Sequence, residues 1–289
     1  MPGKKPSVSV LMPFYDNGST EGRRQFSEAF KAVLGQTYRD FEVVVVASGE
    51  KGFVSSLARR HRKMRLFFFG QKVIPGRSIP LKEKVYGLVT ARNMCISHAR
   101  GKYAAFADYD DVSLPHRLKT QAAFLDSHPE IGAVGSSMLL IDSDGKPMGL
   151  RSVFEEDHDI RRHMVQFNTV PQPTLMARTA LIRKAGGYRA GIPEDYDLWV
   201  RMAGITKFHN FREPLIKYRI HPGGGTSNYK LELYVGSLRV KWRAAKALRI
   251  QITMKDVAVS ALQFLSLFFP NSVRRVIFER IRSSVVIGN

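Results

Sequence analysis

Cysteine, acidic residues and long apolar runs are all scarce in this chain of 289 residues. A single cysteine excludes an intramolecular disulfide and a zinc site made of clustered cysteines, and it is typical of a reducing compartment. Asp and Glu number 25 against 45 Lys and Arg, which gives a formal net charge of +20. Such an excess indicates polyanionic surroundings, for example phosphates, nucleic acid or anionic lipid, and carries no information about the fold.

The longest apolar run, 257–269, has 13 residues and contains two serines and a glutamine. A helix that spans a bilayer needs about 20 apolar residues, so this run is too short to cross one. The apolar stretch 8–14 contains Pro13 and lacks a small-residue cleavage site, unlike a secretory signal peptide. We therefore expect a cytoplasmic protein that is soluble or lies on a membrane surface.

The first half of the chain alternates apolar runs with amphipathic stretches, which predicts an α/β fold with a Rossmann-like, mainly parallel sheet flanked by helices. The predicted strands are 8–12, 41–46, 64–69, 103–107 and 131–141, and the predicted helices are 21–34, 53–61, 88–99 and 115–126. Residues 70–86 carry Gly, Pro and Lys without periodicity, which predicts a loop.

The second half mixes both kinds of element. The pattern predicts helices over 157–167, 178–185 and 195–203 and strands over 174–176 and 215–218. We divide the chain into an α/β domain of two halves and a helical C-terminal extension. The first unit covers residues 1–229, with halves 1–111 and 112–229. The C-terminal extension covers residues 230–289.

The C-terminal extension, 230–289, differs from the rest in composition, because its 60 residues include 11 Lys and Arg but only 3 acidic residues. Basic and apolar helix faces side by side are typical of a helix that lies in a membrane interface. Helices that pack on the α/β domain and expose their arginines to water would give the same pattern. The sequence leaves both interpretations open.

Three carboxylates follow the strand predicted at 103–107, in the segment Asp108-Tyr109-Asp110-Asp111. Ligands of open α/β sheets bind beyond the carboxyl ends of the strands, so these side chains lie where chemistry is expected. Three acids within four positions repel one another unless a cation lies among them, and a divalent metal is the usual solution. Such a metal would hold a diphosphate and neutralise charge on a leaving group. For Asp111, a helix N-cap is the alternative.

A second acidic cluster, Glu194-Asp195-Tyr196-Asp197, opens the helix predicted at 195–203. A carboxylate in this position can serve only as a helix cap. It can equally be a general base, since a well-packed helix would hold it where it could take a proton from an incoming hydroxyl. The metal site expected earlier in the chain favours the second interpretation.

Five segments, in this order, resemble the family 2 glycosyltransferases, which have the GT-A fold, and the resemblance covers residues 6–228. They are 6–15, 35–45, 91–93, 108–111 and 194–199. The opening strand of that family and its Pro-x-Tyr turn are matched by Pro13 and Tyr15, and its Gln-Thr-Tyr segment by 36–38. The chain is identified on these motifs as a member of the family, of the type that builds bacterial cell-surface polysaccharide.

The resemblance implies an inverting transfer of a sugar from a nucleotide-diphosphate donor, with UDP-sugars favoured, to an acceptor hydroxyl in polysaccharide or glycolipid biosynthesis. The Asp-x-Asp motif of the family is matched by Asp108, which would contact the ribose side of the nucleotide, and by Asp110, which would bind Mn²⁺ or Mg²⁺. The catalytic base is matched by Asp195.

The resemblance assigns further roles around these carboxylates. Arg92 matches an arginine near the nucleotide, and a guanidinium there suits phosphate or the orientation of the Asp cluster. His221, in a Tyr-Arg-x-His stretch, would approach the diphosphate or the metal. The remaining predicted contacts are Pro13, Tyr15 and Ser48 to the donor, and Gln172 and Glu194 to the acceptor.

One segment departs from the family. Where members usually have Asp-Asp-Gly-Ser after the second strand, this chain has Ala47-Ser48-Gly49-Glu50. An Asp at that point normally accepts a hydrogen bond from uracil, whereas Ser48 offers only a hydroxyl. GDP-sugars and dTDP-sugars therefore stay open as donors.

Two other functions are alternatives to the enzyme. A nucleic-acid-binding protein would explain the net charge, but it leaves both acidic clusters unexplained, and the sequence contains no recognised motif for nucleic acid. A non-catalytic relative that binds nucleotide sugars would be expected to lack Asp110 or Asp195, and both are present. We expect a nucleotide-sugar donor, a saccharide or lipid-linked saccharide acceptor and an anionic membrane surface as partners, no nucleic acid, and a peripheral position on the cytoplasmic face of the inner membrane.

Overall fold

A computed structural model describes residues 5–70, 81–191, 193–221 and 230–270, and eight residues between 273 and 286. The strands are β1 Val8–Asp16, β2 Phe41–Gly49, β3 Met64–Phe68, β4 Tyr103–Phe106, β5 Val112–Ser113, β6 Ile131–Ile141, β7 Pro147–Arg151, β8 Met176–Arg178 and β9 Lys207–Arg219. The helices of the described part are α1 Thr20–Leu34, α2 Gly52–Arg60, α3 Leu81–His98, α4 Arg117–Ser127, α5 Asp157–His163, α6 Thr179–Lys184, α7 Glu194–Ala203, α8 Lys230–Ala247 and α9 Met254–Leu265.

The strands form one mixed, nine-stranded sheet with the order β3-β2-β1-β4-β8-β6-β9-β5, and β7 pairs with β6 outside this path. The first four strands of the order are parallel to one another. Strand β8 is antiparallel to both β4 and β6, whereas β6 and β9 are parallel. The carboxyl ends of β1, β2 and β4 therefore share one edge of the sheet, as the alternation of elements predicts.

The core follows the two-residue period of the strands. In β2, Val44 and Val46 pack on one face of the sheet, while Val43 and Val45 pack on the other, and all four are fully buried. Helix α1 covers the second face with a set of apolar residues that includes Phe26. Burial of such a side chain contributes about 1.5–3 kcal/mol to stability, so this packing fixes the strands that end at the site.

Both ends of α1 are capped by residues next to the helix. The Ser19 side chain accepts a hydrogen bond of 3.1 Å from the backbone N–H of Gly22, which caps the helix. At the other end, the N–H of Gly35 donates to the carbonyl oxygen of Lys31. The helix thus starts and stops where its sequence indicates.

Several predicted boundaries are wrong. Strand β9 is 13 residues long rather than the four of 215–218, because it pairs with β6 along its length while its own pattern is interrupted by polar residues. Helix α3 begins at Leu81 instead of 88, and α5 ends at His163 instead of 167. The predicted strand 174–176 is a 3₁₀ turn at Gln172–Thr174 followed by β8.

The predicted loop 70–86 is only partly described. Helix α3 covers its last residues, since Lys and Glu favour helix even without an apolar period. Residues 71–80 lie outside the described part of the chain.

Helix α8 packs on the preceding part of the chain through one face. Val240 and Ala244 of α8 belong to the same hydrophobic cluster as Trp199 of α7. The Arg243 side chain donates a hydrogen bond of 2.8 Å to Asp197. Within the described residues, no helix is long and apolar enough to cross a membrane.

Candidate active site

The carboxyl ends of β1, β2 and β4 bring the predicted donor residues together. In the parallel register of β1 and β2, Tyr15 lies beside Ser48, and Pro13 lies two residues back beside Val46. Ser48 is almost fully buried, whereas Pro13 and Tyr15 are partly exposed. The strand end needs a glycine at Gly49, where φ is +90° and a Cβ would clash with the backbone oxygen of Asp16.

The acidic turn that follows β4 is held by the end of β9. The backbone N–H of Arg219 donates a hydrogen bond of 2.8 Å to Asp111, and its side-chain Nε donates one of 3.0 Å to the carbonyl oxygen of Asp110. The two segments meet because β5, directly after the turn, pairs antiparallel with β9. Two residues beyond Arg219, the Nε2 of His221 lies 2.9 Å from Oδ2 of Asp110. The structure therefore places the two predicted metal ligands side by side.

Arg219 lies in the site but was not among the predicted site residues. Its side chain is almost fully buried and forms an ion pair of 2.8 Å with Glu28. It also donates hydrogen bonds to the carbonyl oxygens of Asp142 and Ser143. Arg219 is the arginine of the Tyr-Arg-x-His stretch that predicts a role for His221. The same motif could therefore have indicated Arg219.

Of the three carboxylates in the turn, Asp111 is buried, and Asp108 and Asp110 are partly exposed. Burial raises the pKa of Asp108, although the nearby Arg92 guanidinium partly offsets this effect. Burial also raises the pKa of Asp111 well above its usual range, with a further contribution from the negative charges of Asp110 and Asp108. One Asp111 oxygen, Oδ2, is buried without a hydrogen-bond partner. The cluster thus favours a positive charge among its oxygens.

Arg92 of α3 joins the two acidic clusters. Its Nη2 lies 3.6 Å from Oδ1 of Asp108, and its Nη1 lies 2.5 Å from Oε1 of Glu194. Burial alone would lower the pKa of this nearly buried guanidinium, but Glu194 and Asp108 raise it on balance, so Arg92 stays charged. A single cation therefore lies between the two acidic clusters.

Asp195 stands at the start of α7, next to Glu194. Its Oδ1 accepts a hydrogen bond of 2.8 Å from the N–H of Tyr196, and its Oδ2 accepts one of 3.0 Å from Nδ2 of Asn168. Burial, followed by the charge of Glu194, raises the pKa of Asp195 to about 6. A carboxylate with such a pKa is mainly ionised at neutral pH and is more basic than an ordinary Asp, as suits a general base. Asn168 was not predicted, because its contact with Asp195 spans 27 positions of sequence.

A buried polar layer lies beneath Arg92. The Tyr188 ring lies 5.3 Å from the Arg92 guanidinium, and its hydroxyl donates a hydrogen bond of 2.7 Å to Oε1 of Gln172. Asn93 donates to the backbone oxygen of Tyr188 and accepts from its N–H, at 2.9 and 2.8 Å. Gly187 permits this contact, since φ is +61° and a Cβ would lie 2.6 Å from Oδ1 of Asn93. Gln172 is almost fully buried, and its contact with an acceptor stays a prediction.

The residues present fit a divalent metal that is shared with a diphosphate. In the described part of the chain, no three His, Cys, Asp or Glu side chains converge into a protein-only metal site. Mg²⁺ and similar ions commonly take one or two protein carboxylates and complete their shell with substrate phosphates and water. Asp110 and His221 offer such a partial set, beside the unpartnered oxygen of Asp111.

A cavity of about 600 Å³ lies elsewhere, at the amino ends of β6 and β9. Because β4 and β6 run in the same direction, this is the opposite edge of the sheet from the acidic turn. Two arginines of its lining donate hydrogen bonds to backbone carbonyl oxygens: Arg161 to that of Thr206, and Arg178 to that of Leu125. The predicted site residues lie at the other edge, so the two acidic clusters joined by Arg92 form the candidate active site.

A family model described as glycosyl transferase family 2 matches residues 9–185 of this chain. Among curated relatives, the O-antigen biosynthesis glycosyltransferase WbnJ of Escherichia coli is 29% identical over 200 residues, which are 66% of this chain and 72% of WbnJ. The uncharacterized glycosyltransferase MJ1057 of Methanocaldococcus jannaschii is 27% identical over 224 residues, 75% of this chain and 71% of that protein.

Solved structures show the same fold at low sequence identity. The S. aureus TarS structure with UDP-GlcNAc has a TM-score of 0.62 and 18% identity, and the match covers 96% of this chain and 75% of that one. With a longer TarS chain, the match covers 92% of this chain but only 44% of that one. The mannosyltransferase PcManGT of Pyrobaculum calidifontis, in complex with GDP-Man and Mn²⁺, gives a TM-score of 0.53 at 16% identity, over 98% of this chain and 87% of that one. The chain therefore belongs to glycosyltransferase family 2 and has the GT-A fold.

Proposed function

We propose that this protein is a metal-dependent inverting glycosyltransferase, which moves a sugar from a nucleotide-diphosphate donor to an acceptor hydroxyl. The observation that carries the proposal is the position of Arg92 between Asp108 and Glu194. It joins two carboxylate clusters that have different surroundings and can perform different tasks. One cluster suits a metal and a diphosphate, and the other suits proton removal.

On the acceptor side, Asp195 removes the proton from the attacking hydroxyl. The hydrogen bonds from Tyr196 and Asn168 fix both carboxylate oxygens, so the remaining lone pairs have a defined direction. As the acceptor oxygen bonds to the anomeric carbon, the bond from that carbon to the diphosphate oxygen breaks, and the configuration inverts. Asp195 receives the proton, and the nucleoside diphosphate takes the electron pair of the broken bond.

On the donor side, Asp110 and His221 would hold Mn²⁺ or Mg²⁺, and Asp108 would contact the ribose. When bound, the metal would neutralise the charge that develops on the leaving diphosphate. Arg92 keeps Asp108 in place and adds positive charge near the phosphates. The Mn²⁺ and GDP-Man of the PcManGT structure and the UDP-GlcNAc of the TarS structure support this type of donor.

The nucleobase would lie near Pro13, Tyr15 and Ser48, at the ends of β1 and β2. We favour UDP-sugars as donors, and Ser48 would contact the base through its hydroxyl. Since Ser48 replaces the usual carboxylate, GDP-sugars and dTDP-sugars form the comparison set for the first binding experiment.

The acceptor would contact Glu194 and Gln172, and we propose a saccharide or lipid-linked saccharide. The role of WbnJ in O-antigen biosynthesis supports a place in polysaccharide or glycolipid synthesis. The proposed units are a catalytic domain over 1–229, with a donor half over 1–111 and an acceptor half over 112–229, and a C-terminal extension over 230–289. We propose a peripheral position on the cytoplasmic face of the inner membrane.

A thermal-shift screen tests the donor side. Ligand binding raises stability by mass action, by about 2.7 kcal/mol at 100 times Kd. We expect UDP or a UDP-sugar with Mn²⁺ to raise the Tm of the wild-type protein, and Asp110→Ala to abolish the Mn²⁺-dependent part of the shift. Asp159→Asn, on the exposed part of α5, is the matched control and should respond like wild type. A Tm that responds to no nucleotide would refute the donor proposal.

A further inference from the structure

Helix α9 buries polar side chains and exposes apolar ones. Its buried residues include Asp256 and Gln263, which face the catalytic domain. The opposite face is apolar and exposed, with Met254 at 83%, Leu265 at 54% and, just beyond the helix, Phe268 at 75% exposure. A surface helix of a soluble protein normally buries its apolar stripe. Helix α9 exposes its apolar residues instead, which suits apolar surroundings on its outer side.

Helix α8 adds a second apolar stripe next to the first. Leu231, Val235, Leu238 and Trp242 are all exposed and lie at i, i+4, i+7 and i+11, which places them on one side of the helix. The two helices touch, since the Tyr234 hydroxyl of α8 donates a hydrogen bond of 3.2 Å to a backbone oxygen of α9. We call these four residues, together with the exposed apolar residues of α9 and Phe268, the outer surface.

Basic side chains border the outer surface. Arg239, Lys246, Arg249 and Lys255 are all exposed, and the Lys246 ammonium lies 5.7 Å from the ring of Trp242. Among the described residues of α8 and α9, Glu232 is the exposed acid. Basic residues are attracted to an anionic lipid surface. Apolar side chains with a Trp and a basic border match an anionic bilayer interface in both polarity and charge.

The inner face of α9 reaches toward the active site. Asp256 accepts hydrogen bonds from Arg162 and from Nε2 of Gln166, at 3.0 and 2.7 Å. Gln263 donates one of 3.1 Å to the backbone oxygen of Gln166. Gln166 lies two residues before Asn168, whose side chain holds the carboxylate of Asp195. The helix that carries the outer surface therefore also supports the segment that orients the proposed base.

We propose that the outer surface of α8 and α9 docks the protein on an anionic bilayer. This rests on the proposed function for its purpose and deepens it, because docking there would present a lipid-linked acceptor to the side of the molecule that holds Asp195. The apolar face of α9 would lie among the lipid headgroups, with the basic border on the phosphates.

Vesicle sedimentation tests the proposal without any nucleotide sugar, so its result is independent of the enzymatic activity. We compare vesicles of phosphatidylglycerol and phosphatidylcholine with vesicles of phosphatidylcholine alone. The wild-type protein should sediment with the anionic vesicles, with an affinity that exceeds that for neutral ones by about tenfold or more and falls as salt is added.

The decisive variant carries Leu262→Glu and Leu265→Glu, at positions that are 49% and 54% exposed. Its matched control carries Met148→Glu and Leu150→Glu on β7, at positions that are 48% and 53% exposed. Circular dichroism verifies that both are folded. The first variant should lose anionic vesicle binding by about tenfold or more, since each charge opposes insertion, and the control should keep it.

Three results would overturn the proposal. They are a wild-type protein that does not sediment with anionic vesicles, a Leu262/Leu265 variant that binds them as well as its control does, and a wild-type dimer in light scattering that only this variant dissociates. The last result would assign the outer surface to a second copy of the chain.

Discussion

At the scale of single residues, the surroundings of Asp195 decide when it can act. Burial and the charge of Glu194 raise its pKa to about 6. A general base works only when ionised. We therefore expect kcat/KM for transfer to rise about tenfold per pH unit below 6 and to level off above it.

The pH profile has an internal control in Glu194→Gln. This change removes a neighbouring negative charge, so the pKa of Asp195 should fall and the acidic limb should move to lower pH. The midpoint is readable even if the variant is slower overall. A wild-type limb near pH 4, or a midpoint that Glu194→Gln leaves in place, would show that Asp195 is not the titrating base.

Arg92 is a second residue whose loss has a calculable cost. Arg92→Met leaves the partly buried carboxylates of Asp108 and Glu194 without the buried cation between them, and breaking a buried ion pair from one side costs about 3–5 kcal/mol. Urea unfolding should show this loss of stability. Arg212→Met, which breaks an exposed pair of 2.7 Å with Glu155, should cost less than about 1 kcal/mol. Equal costs would contradict the bridging role of Arg92.

Residues that belong to short motifs could be predicted from the sequence. Residues whose only contact with the site is with a side chain far away in the sequence could not. Asp108 and Asp195 each stand in a local acidic segment at the end of an element, which is visible in the pattern. Asn168 stands in an irregular segment, and only the tertiary fold brings it within 3.0 Å of Asp195. No local period marks such a residue.

At the scale of elements, α9 depends on Asp256. This residue forms a capping box with Thr253 and also binds Arg162 and Gln166. Burial alone would raise its pKa, but these hydrogen bonds, that of Arg162 foremost, lower it to about 2. Since the folded pKa is below the unfolded value of about 3.9, the ionised carboxylate stabilises the fold above pH 4 and loses this effect as pH falls toward 2.

Asp256→Asn should therefore destabilise the protein by about 1–3 kcal/mol at pH 7, in line with the loss of a buried charged hydrogen-bond partner. Urea unfolding at several pH values measures the effect, and the gap to wild type should narrow between pH 5 and pH 3. Asp144→Asn, an exposed acid in the β6–β7 turn, should match wild type throughout. A gap that stays constant with pH would rule out the ionised carboxylate as the cause.

The elements differ in how well their sequence predicts them. The four valines of β2 and the caps of α1 act locally, and both elements lie where expected. Strand β9 could not be outlined, because pairing with β6 rather than its own alternation extends it to 13 residues. The end of that strand is what positions Arg219 and His221, so this part of the site was visible only as a motif.

At the scale of the whole molecule, the charge of +20 has little to do with the donor. The site itself is acidic and contains Arg92 as its central cation, so the phosphates would rely on a metal. The last 60 residues, 230–289, carry 11 Lys and Arg against 3 acidic residues, a denser basic excess than in the rest of the chain. Helices α8 and α9 pack on the domain with one face and expose apolar residues on the other. The packing that the sequence left open is thus present, and the membrane contact stays a proposal.

The most direct test of the central claim separates donor binding from transfer in one variant. Asp195→Asn keeps the size of the side chain but cannot accept the acceptor proton. With Mn²⁺, a nucleotide sugar that binds wild type and a membrane extract as acceptor source, transfer should fall by about 10²–10⁴-fold. Donor binding, measured by the Tm shift, should equal that of wild type and of Asp159→Asn. Full transfer by Asp195→Asn would contradict the account.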